Sequence, residues 1–361
     1  MYFLASLFAI ASLMTSTFGN TNDTQCPAVS ASNASNAIPV GTHVRLMQYN
    51  VEWFFLKTYN GCPGDGCSWQ TLSEATTHMQ YIANVVKEYN PDILNLCEVE
   101  GCYELGQLNG LVSTPDNTYQ TYLLFGTDTS TGQNVGLMTK FTPTADLQRT
   151  SATHTYPVVG THCNYSGTGS SGVSKHYYTS YQMGDLTVYL IGAHLLAIPT
   201  EPSRCASREA QASVLQKLIV DLLEGQMTDE GLLKGQDEGS NIGIILMGDL
   251  NDFDGVVLDS NDDMPTSNVL NILKGSAGDY AGKYTLVTAA QKVSKTERYT
   301  DWWDPNNDCK STPNEMSMID HVLMTQNLMD KVTNVFMPHP YSEYCGTYNS
   351  DHFPIVIDMI V

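Results

Sequence analysis

Asp249 and Asn251 follow an apolar run, Ile242 to Met247, that ends at Gly248. Such a run reads as a strand buried on both faces. Residues two apart on an extended chain aim the same way, so the carboxylate and the amide reach one pocket at the sheet edge, where ligands of such folds bind. The arrangement recurs. Asn50 lies in the apolar stretch Val44 to Phe55 with Glu52 two residues on, and Glu98 lies near the end of the run from Asp92 to Glu100. His194 closes Leu186 to Ala193, Asp320 sits within Met318 to Met324, and Asp351-His352 stands just before Ile355 to Ile360. Taken singly, each has an ordinary explanation. Asp and Asn favour turns, and a lone buried histidine is more often a hydrogen-bonded core residue than a catalyst. Recurrence at so many strand ends is harder to explain by packing, because an unpaired buried acid is costly. Carboxylates suit a hard cation, and imidazole moves a proton near neutral pH.

The elements that must position these groups alternate between strands and helices. Thr71-x-x-Glu74 is a capping-box pattern; behind it Met79, Ile82, Ala83 and Val86 fall at helical spacing, and Asn90-Pro91 ends the helix. The strand carrying Glu98 follows directly, making an α/β unit. Tyr119 to Phe125 and Asn134 to Thr139 read as a hairpin, and Tyr177 to Tyr181 pairs with Leu186 to Ala193 across Met183-Gly184-Asp185. Arg208 to Leu223 has apolar residues at helical spacing, and a short helix is expected from Ser267 to Lys274. Residues 160–176 and 291–316 are polar and read as surface loops, the second containing Trp302-Trp303. No repeat or linker divides the chain, which reads as one domain over 43–361.

The chain has 361 residues, 17 basic and 38 acidic, for a formal charge of -21. That argues against a broad basic footprint for duplex nucleic acid, but not against a phosphate substrate, since a bound divalent cation inverts the local field. Residues 1–19, apolar from Tyr2 to Leu13 apart from Ser6 and Ser12, read as a secretory signal peptide cleaved after Gly19. Residues 20–42 read as a flexible segment. Sequons at Asn22, Asn33 and Asn164 fit a secreted glycoprotein. Nine cysteines in such a chain imply disulfides with one thiol left over. Cys62 with Cys67, Cys163 with Cys205, and Cys309 with Cys345 are the expected pairs; zinc on Cys62 and Cys67 is the rival reading.

In order along the chain, Gln48-Tyr49-Asn50-Val51-Glu52, Cys97-Glu98-Val99, Ala193-His194-Leu195, Gly248-Asp249-Leu250-Asn251, Ile319-Asp320-His321 and Ser350-Asp351-His352-Phe353-Pro354 resemble the motifs of the endonuclease/exonuclease/phosphatase superfamily, the deoxyribonuclease I-like proteins. One departure is Cys97, where the family usually has Gln. The resemblance implies an α/β fold, a four-layer sandwich of two facing mixed sheets flanked by helices. It also implies phosphoester hydrolysis with Mg²⁺ or Mn²⁺. On that resemblance Glu98 is the metal ligand with Asn50 and Asp351 near it. Asp249 and Asn251 position or activate water and bind phosphate, His194 bonds a phosphate oxygen, and Asp320 orients His352. Such a set answers the chemistry: a phosphodiester is anionic, so a cation must offset its charge, water needs a base, and the developing charge needs donors.

Together with the N-terminal reading, the resemblance points to a secreted nuclease acting on DNA or RNA; no stable protein partner is evident, and the chain reads as a monomer. A lipid phosphodiesterase of the sphingomyelinase kind, acting on phospholipid, and an inositol polyphosphate phosphatase are the alternatives. A binding module without activity is disfavoured because each matched position holds the expected residue type. Arg204 and Arg208 either meet phosphate or begin a helix and stay solvated, and Trp302-Trp303 fits a membrane-dipping loop, base stacking or core packing.

Overall fold

Strand alternation builds the molecule. Along the stretch that includes Asn50, Leu46 joins one apolar core while Met47, Tyr49 and Val51 join another. Along the stretch that includes Asp249, Ile245 and Met247 join the first core while Ile244 and Leu246 join a third. Each strand is thus buried on both faces, and the first core lies between two sheets.

A computed structural model describes residues 25–27, 29, 37–57, 67–198, 201–224, 241–306, 308–310, 312–341 and 347–361. In chain order the elements begin β1 (Gln25–Cys26), β2 (His43–Phe54), α1 (Leu72–Tyr89), β3 (Ile93–Val99), α2 (Cys102–Val112), β4 (Gln120–Leu124) and β5 (Asn134–Thr139). Then come β6 (His154–Tyr156), β7 (Gly169–Ser171), β8 (Lys175–Met183), β9 (Leu186–His194), α3 (Pro202–Leu223) and β10 (Ile242–Asp249). The last third holds α4 (Val269–Leu273), β11 (Leu286–Thr288), β12 (Asp301–Trp302), β13 (Met316–Ser317), β14 (Asp320–Thr325), α5 (Gln326–Met329), β15 (Val332–Phe336) and β16 (Ile355–Ile360).

A seven-stranded sheet has the order β1-β4-β5-β3-β2-β16-β15, and a five-stranded sheet the order β11-β14-β10-β9-β8. Both are mixed: β2 runs parallel to β3 and β9 parallel to β10, while the other neighbours are antiparallel. Helices α1 and α2 cover the outer face of the first sheet through Ala75, Ile82, Leu105 and Leu108. Helices α3 and α4 cover the second through Ala210, Leu215, Ile219 and Leu270. This is the expected four-layer sandwich. No described helix is long and apolar enough to cross a membrane.

The capping box of α1 forms as its sequence predicts, with Glu74 N–H donating to the Thr71 hydroxyl and Thr71 N–H to the Glu74 carboxylate. Several readings change. Residues 160–176 include β7 and the start of β8, and residues 291–316 carry β12 and pair it with β13. Trp302 packs inside while Trp303 is exposed. Of the leading segment, the described residues touch the domain where β1 pairs with β4, where Cys26 bonds Cys102, and where Ile38 bridges Met183. The expected Cys163–Cys205 disulfide is present, and among the described residues Cys97 is a buried free thiol. Cys67 and Cys309 are disulfide-bonded, which removes Cys67 as a zinc thiolate. Cys62 and Cys345, the sequons at Asn22 and Asn33, and residues 1–19 lie outside the described residues.

Candidate active site

Parity and register bring the strand-end groups to one rim of the inter-sheet layer. In the five-stranded sheet Asp249 stands opposite His194 on β9 and opposite Asp320 on β14. In the seven-stranded sheet Asn50 stands opposite Cys97 on β3. Asn50 joins the sheets: its Nδ2 donates to Asp249 Oδ2 at 3.0 Å and to Glu98 Oε1 at 3.3 Å, and lies 3.3 Å from His352 Nε2.

Glu98 reaches this cluster through a break in β3. Strict alternation would send it outward with Leu94 and Leu96. Instead the register shifts between Cys97 and Val99, and Glu98 has φ 68°. A bulge of this kind re-aims a side chain. The neighbouring strand is irregular too, between Asn50 and Phe54, with Glu52 and Trp53 at φ 46° and 47°. The two breaks interlock, because Trp53 N–H donates to Glu98 Oε2 at 2.9 Å.

His352 is held on one side by Asp320, whose Oδ2 lies 2.7 Å from its Nδ1. Its Nε2 faces Asp301, Asp351 and Asp249 at 3.7, 3.8 and 3.9 Å. His194 Nε2 lies 3.5 Å from Asp249 Oδ2 and 4.0 Å from Glu98 Oε1. Asn251, at φ 53°, donates from Nδ2 to Leu195 O at 3.2 Å and from its backbone N–H to Asp249 Oδ1 at 3.0 Å. Asn50, Glu98, His194, Asp249, Asn251, Asp320, Asp351 and His352 therefore all stand at this rim. Asp351 groups with Asp301 and His352, while Glu98, His194 and Asp249 form a second cluster; a third, Asp304, Asp308 and Glu315, holds none of the expected site residues.

Crowding of acids in a dry layer governs the electrostatics. Burial, then the neighbouring Asp320, pushes Asp249 up to about 8, against the pull of His352. Burial, then Glu52, raises Asp351 well above the usual carboxylate range. Burial raises Asp301 to about 6. For His352 burial favours the neutral ring, but Asp320, Asp351 and Asp249 outweigh it and hold the imidazole well above its ordinary value. His194 is driven well below it by burial, Lys175 and His352. Asp351 Oδ1 and His194 Nδ1 are buried without a hydrogen-bond partner among the described residues. Close carboxylates that resist ionising together, with an orphaned oxygen among them, fit a divalent cation bound through hard oxygen ligands.

Arg204 and Arg208 lie in the first turns of α3, as one expectation had it, but Arg208 is not solvated. Arg208 is fully buried and donates from Nη1 to Leu196 O at 2.9 Å; Arg204 donates from Nε to Ala197 O at 2.8 Å. Both brace the segment after His194. Two groups at the site were not foreseen. Asp301 sits in a stretch too polar to suggest a strand. Gln48 donates from Nε2 to Asp320 Oδ1 at 3.0 Å, and its position two residues before Asn50 was a usable signal.

Among solved structures, TDP2 from Caenorhabditis elegans is similar. A selenomethionine form is 18% identical with a TM-score of 0.51 over 89% of this chain and 75% of that one. A second structure of it is 17% identical with a TM-score of 0.50 over 90% and 76%. At these identities the likeness establishes the fold. No curated protein sequence matches. Residues 47–352 match the Endonuclease/Exonuclease/phosphatase family, and the chain belongs to that family.

Proposed function

We propose that this protein is a secreted, divalent-metal-dependent phosphodiesterase and that nucleic acid is its substrate. The observation that carries the reading is the convergence of Asn50, Glu98, His194, Asp249 and the Asp320–His352 pair on one rim of the inter-sheet layer. Glu98, with Asn50 beside it, would hold Mg²⁺ or Mn²⁺, which when bound offsets the charge of the phosphate; Asp351, in the neighbouring cluster with Asp301 and His352, lines the same rim. The disulfides Cys26–Cys102 and Cys163–Cys205 support an oxidising compartment.

The residues divide the remaining work. Asp249, a base of near-neutral strength, accepts a proton from the attacking water, which Asn251 orients. The water oxygen bonds to phosphorus as the bond to the leaving oxygen breaks. His352 is cationic and gives its Nε2 proton to the leaving oxygen, while Asp320 holds Nδ1. Neutral His194 donates one hydrogen bond to a non-bridging phosphate oxygen. Positioned proton transfer of this kind contributes roughly 10²–10⁴-fold each.

One observation favours a second reading, a phospholipid diester. Trp303 is 69% exposed and directly follows β12, which brings Asp301 to His352. An exposed indole there suits a bilayer interface as well as a nucleobase. Purified protein assayed with Mg²⁺ on plasmid DNA, RNA, sphingomyelin vesicles and inositol phosphates decides between them. Cleavage of DNA or RNA supports the nuclease; intact nucleic acids with cleaved sphingomyelin replace it with the lipid reading.

A further inference from the structure

We propose that Tyr177, Asn95 and Gln48 form a buried hydrogen-bond relay that positions Asp320, and through it His352, for phosphodiester hydrolysis. The inference rests on the functional reading above and adds three positioning residues to it.

The relay crosses between the sheets twice. Tyr177 on β8 donates its hydroxyl to Asn95 Oδ1 at 2.8 Å. Asn95 on β3 donates from Nδ2 to Gln48 Oε1 at 2.6 Å. Gln48 on β2 donates from Nε2 to Asp320 Oδ1 at 3.0 Å. The other oxygen, Oδ2, lies 2.7 Å from His352 Nδ1. Every donor points toward Asp320, so the bond dipoles align and reinforce one another at the carboxylate. Burial holds the Tyr177 hydroxyl far above its ordinary value, so the chain begins with a group that keeps its proton. With Gln48 on one oxygen and His352 on the other, rotation of the carboxylate about its Cβ–Cγ bond breaks a hydrogen bond.

A purely structural role explains this poorly. Gln48, Asn95, Tyr177 and Asp320 are all buried, and the layer around them is apolar, with Leu46, Ile93, Leu190 and Ile245 in the same core. Amides taken into such a layer lose hydration that their hydrogen bonds only partly offset, and well-packed apolar replacements of buried polar groups are often neutral or stabilising. The facing strand also makes room for the relay. A Cβ on Gly192 of β9 would collide with Asn95 Oδ1 and with the Tyr177 ring.

The test is Gln48→Met, which keeps the length and removes the donor, beside Asn95→Leu, Tyr177→Phe and each change combined with Asp320→Asn. Three quantities are read: kcat and KM on the substrate the wild type cleaves, thermal midpoint, and the far-downfield proton resonance of His352 Nδ1–H. Gln48→Met should lower kcat about 10- to 100-fold, the scale for a group that orients another, with KM within about twofold and the resonance displaced. Tyr177→Phe, which removes one oxygen and will fold, should lower kcat roughly 2- to 10-fold, as expected for one neutral hydrogen bond. In the Asp320→Asn background both losses should nearly vanish, to about 1.5-fold or less, because coupled residues are not additive. Wild-type kcat and an unmoved resonance in Tyr177→Phe and Gln48→Met overturn the relay. So do losses that multiply in full with Asp320→Asn. If the wild type cleaves no phosphodiester, the functional reading fails, and the resonance in the same variants still decides whether the relay exists.

Discussion

Removing the charge of Asp249 should change how the protein binds metal as a function of pH. Asp249 is pushed up to about 8, against an unfolded value near 3.9. Between those values the folded state holds a proton that the unfolded state does not, so this group makes stability fall as pH rises through the window. At pH 7 that costs roughly 4 kcal/mol, taking 1.36 kcal/mol per pH unit from 3.9 to 7. A cation bound beside Asp249 returns it to the carboxylate and expels the proton. Below about pH 8, metal affinity should therefore tighten about tenfold per pH unit for each proton released, then level off. Asp351, raised well above the carboxylate range, adds to the slope. The assay is calorimetric titration with Mn²⁺ or Mg²⁺ from pH 5.5 to 8.5, repeated in buffers of different ionisation enthalpy so that released protons are counted. Asp249→Asn should release about one proton fewer per metal at pH 6–7. An affinity that does not change between pH 6 and 8, or an identical slope in Asp249→Asn, refutes the electrostatic account of this site.

Further outcomes follow from other parts of the molecule. Glu98→Ala should lose most activity and weaken the dependence on Mg²⁺; full turnover at low Mg²⁺ rejects its assignment as ligand. His352→Gln should keep its fold by circular dichroism yet lose roughly 10²–10⁴-fold in kcat. Asp320→Asn should lose less, and the double variant far less than the product; a near-normal kcat in His352→Gln leaves Asp249 as the sole proton-transfer group. Replacing Cys163 and Cys205, which are 42 residues apart, by Ser should destabilise the fold by about 4 kcal/mol on the loop-entropy model; an unchanged urea midpoint contradicts this. Secreted protein should begin at Asn20 on N-terminal sequencing, and a retained Met1 removes the signal-peptide reading.

Period-two reasoning recovered much of this site because most of it obeys period two. Asp249 shares the inner face with Ile245 and Met247, and Asn50 with Leu46, so apolar residues on alternate positions announced where the polar ones would point. The capping box of α1 was legible because both halves of it are local. Helix α2 was not. Gly106 and Gly110 weaken its helical signal, and what holds it is packing of Leu105 and Leu108 on the sheet and the Cys26–Cys102 disulfide. Asp301 was illegible for a similar reason: β12 exists only through its partners β13 and His352, distant in sequence.

Glu98 is the instructive case, since the family resemblance groups it with the other strand-end residues while its strand parity argues against it. Only a left-handed residue at the bulge turns its carboxylate inward. A non-glycine residue there costs about 1–3 kcal/mol, and such strain persists only where surrounding structure over-determines it. Here the surroundings are visible. Trp53 N–H ties Glu98 Oε2, Asn50 Nδ2 meets Oε1, Glu52 N–H returns to Asn50 Oδ1, and Asp351 N–H reaches Glu52 Oε2. Strained Glu52, Trp53 and Glu98 thus brace one another across two adjacent parallel strands, and the same bonds reach Asp351 beside His352. The backbone irregularity is the means by which carboxylates are gathered at a density that simple alternation would not permit.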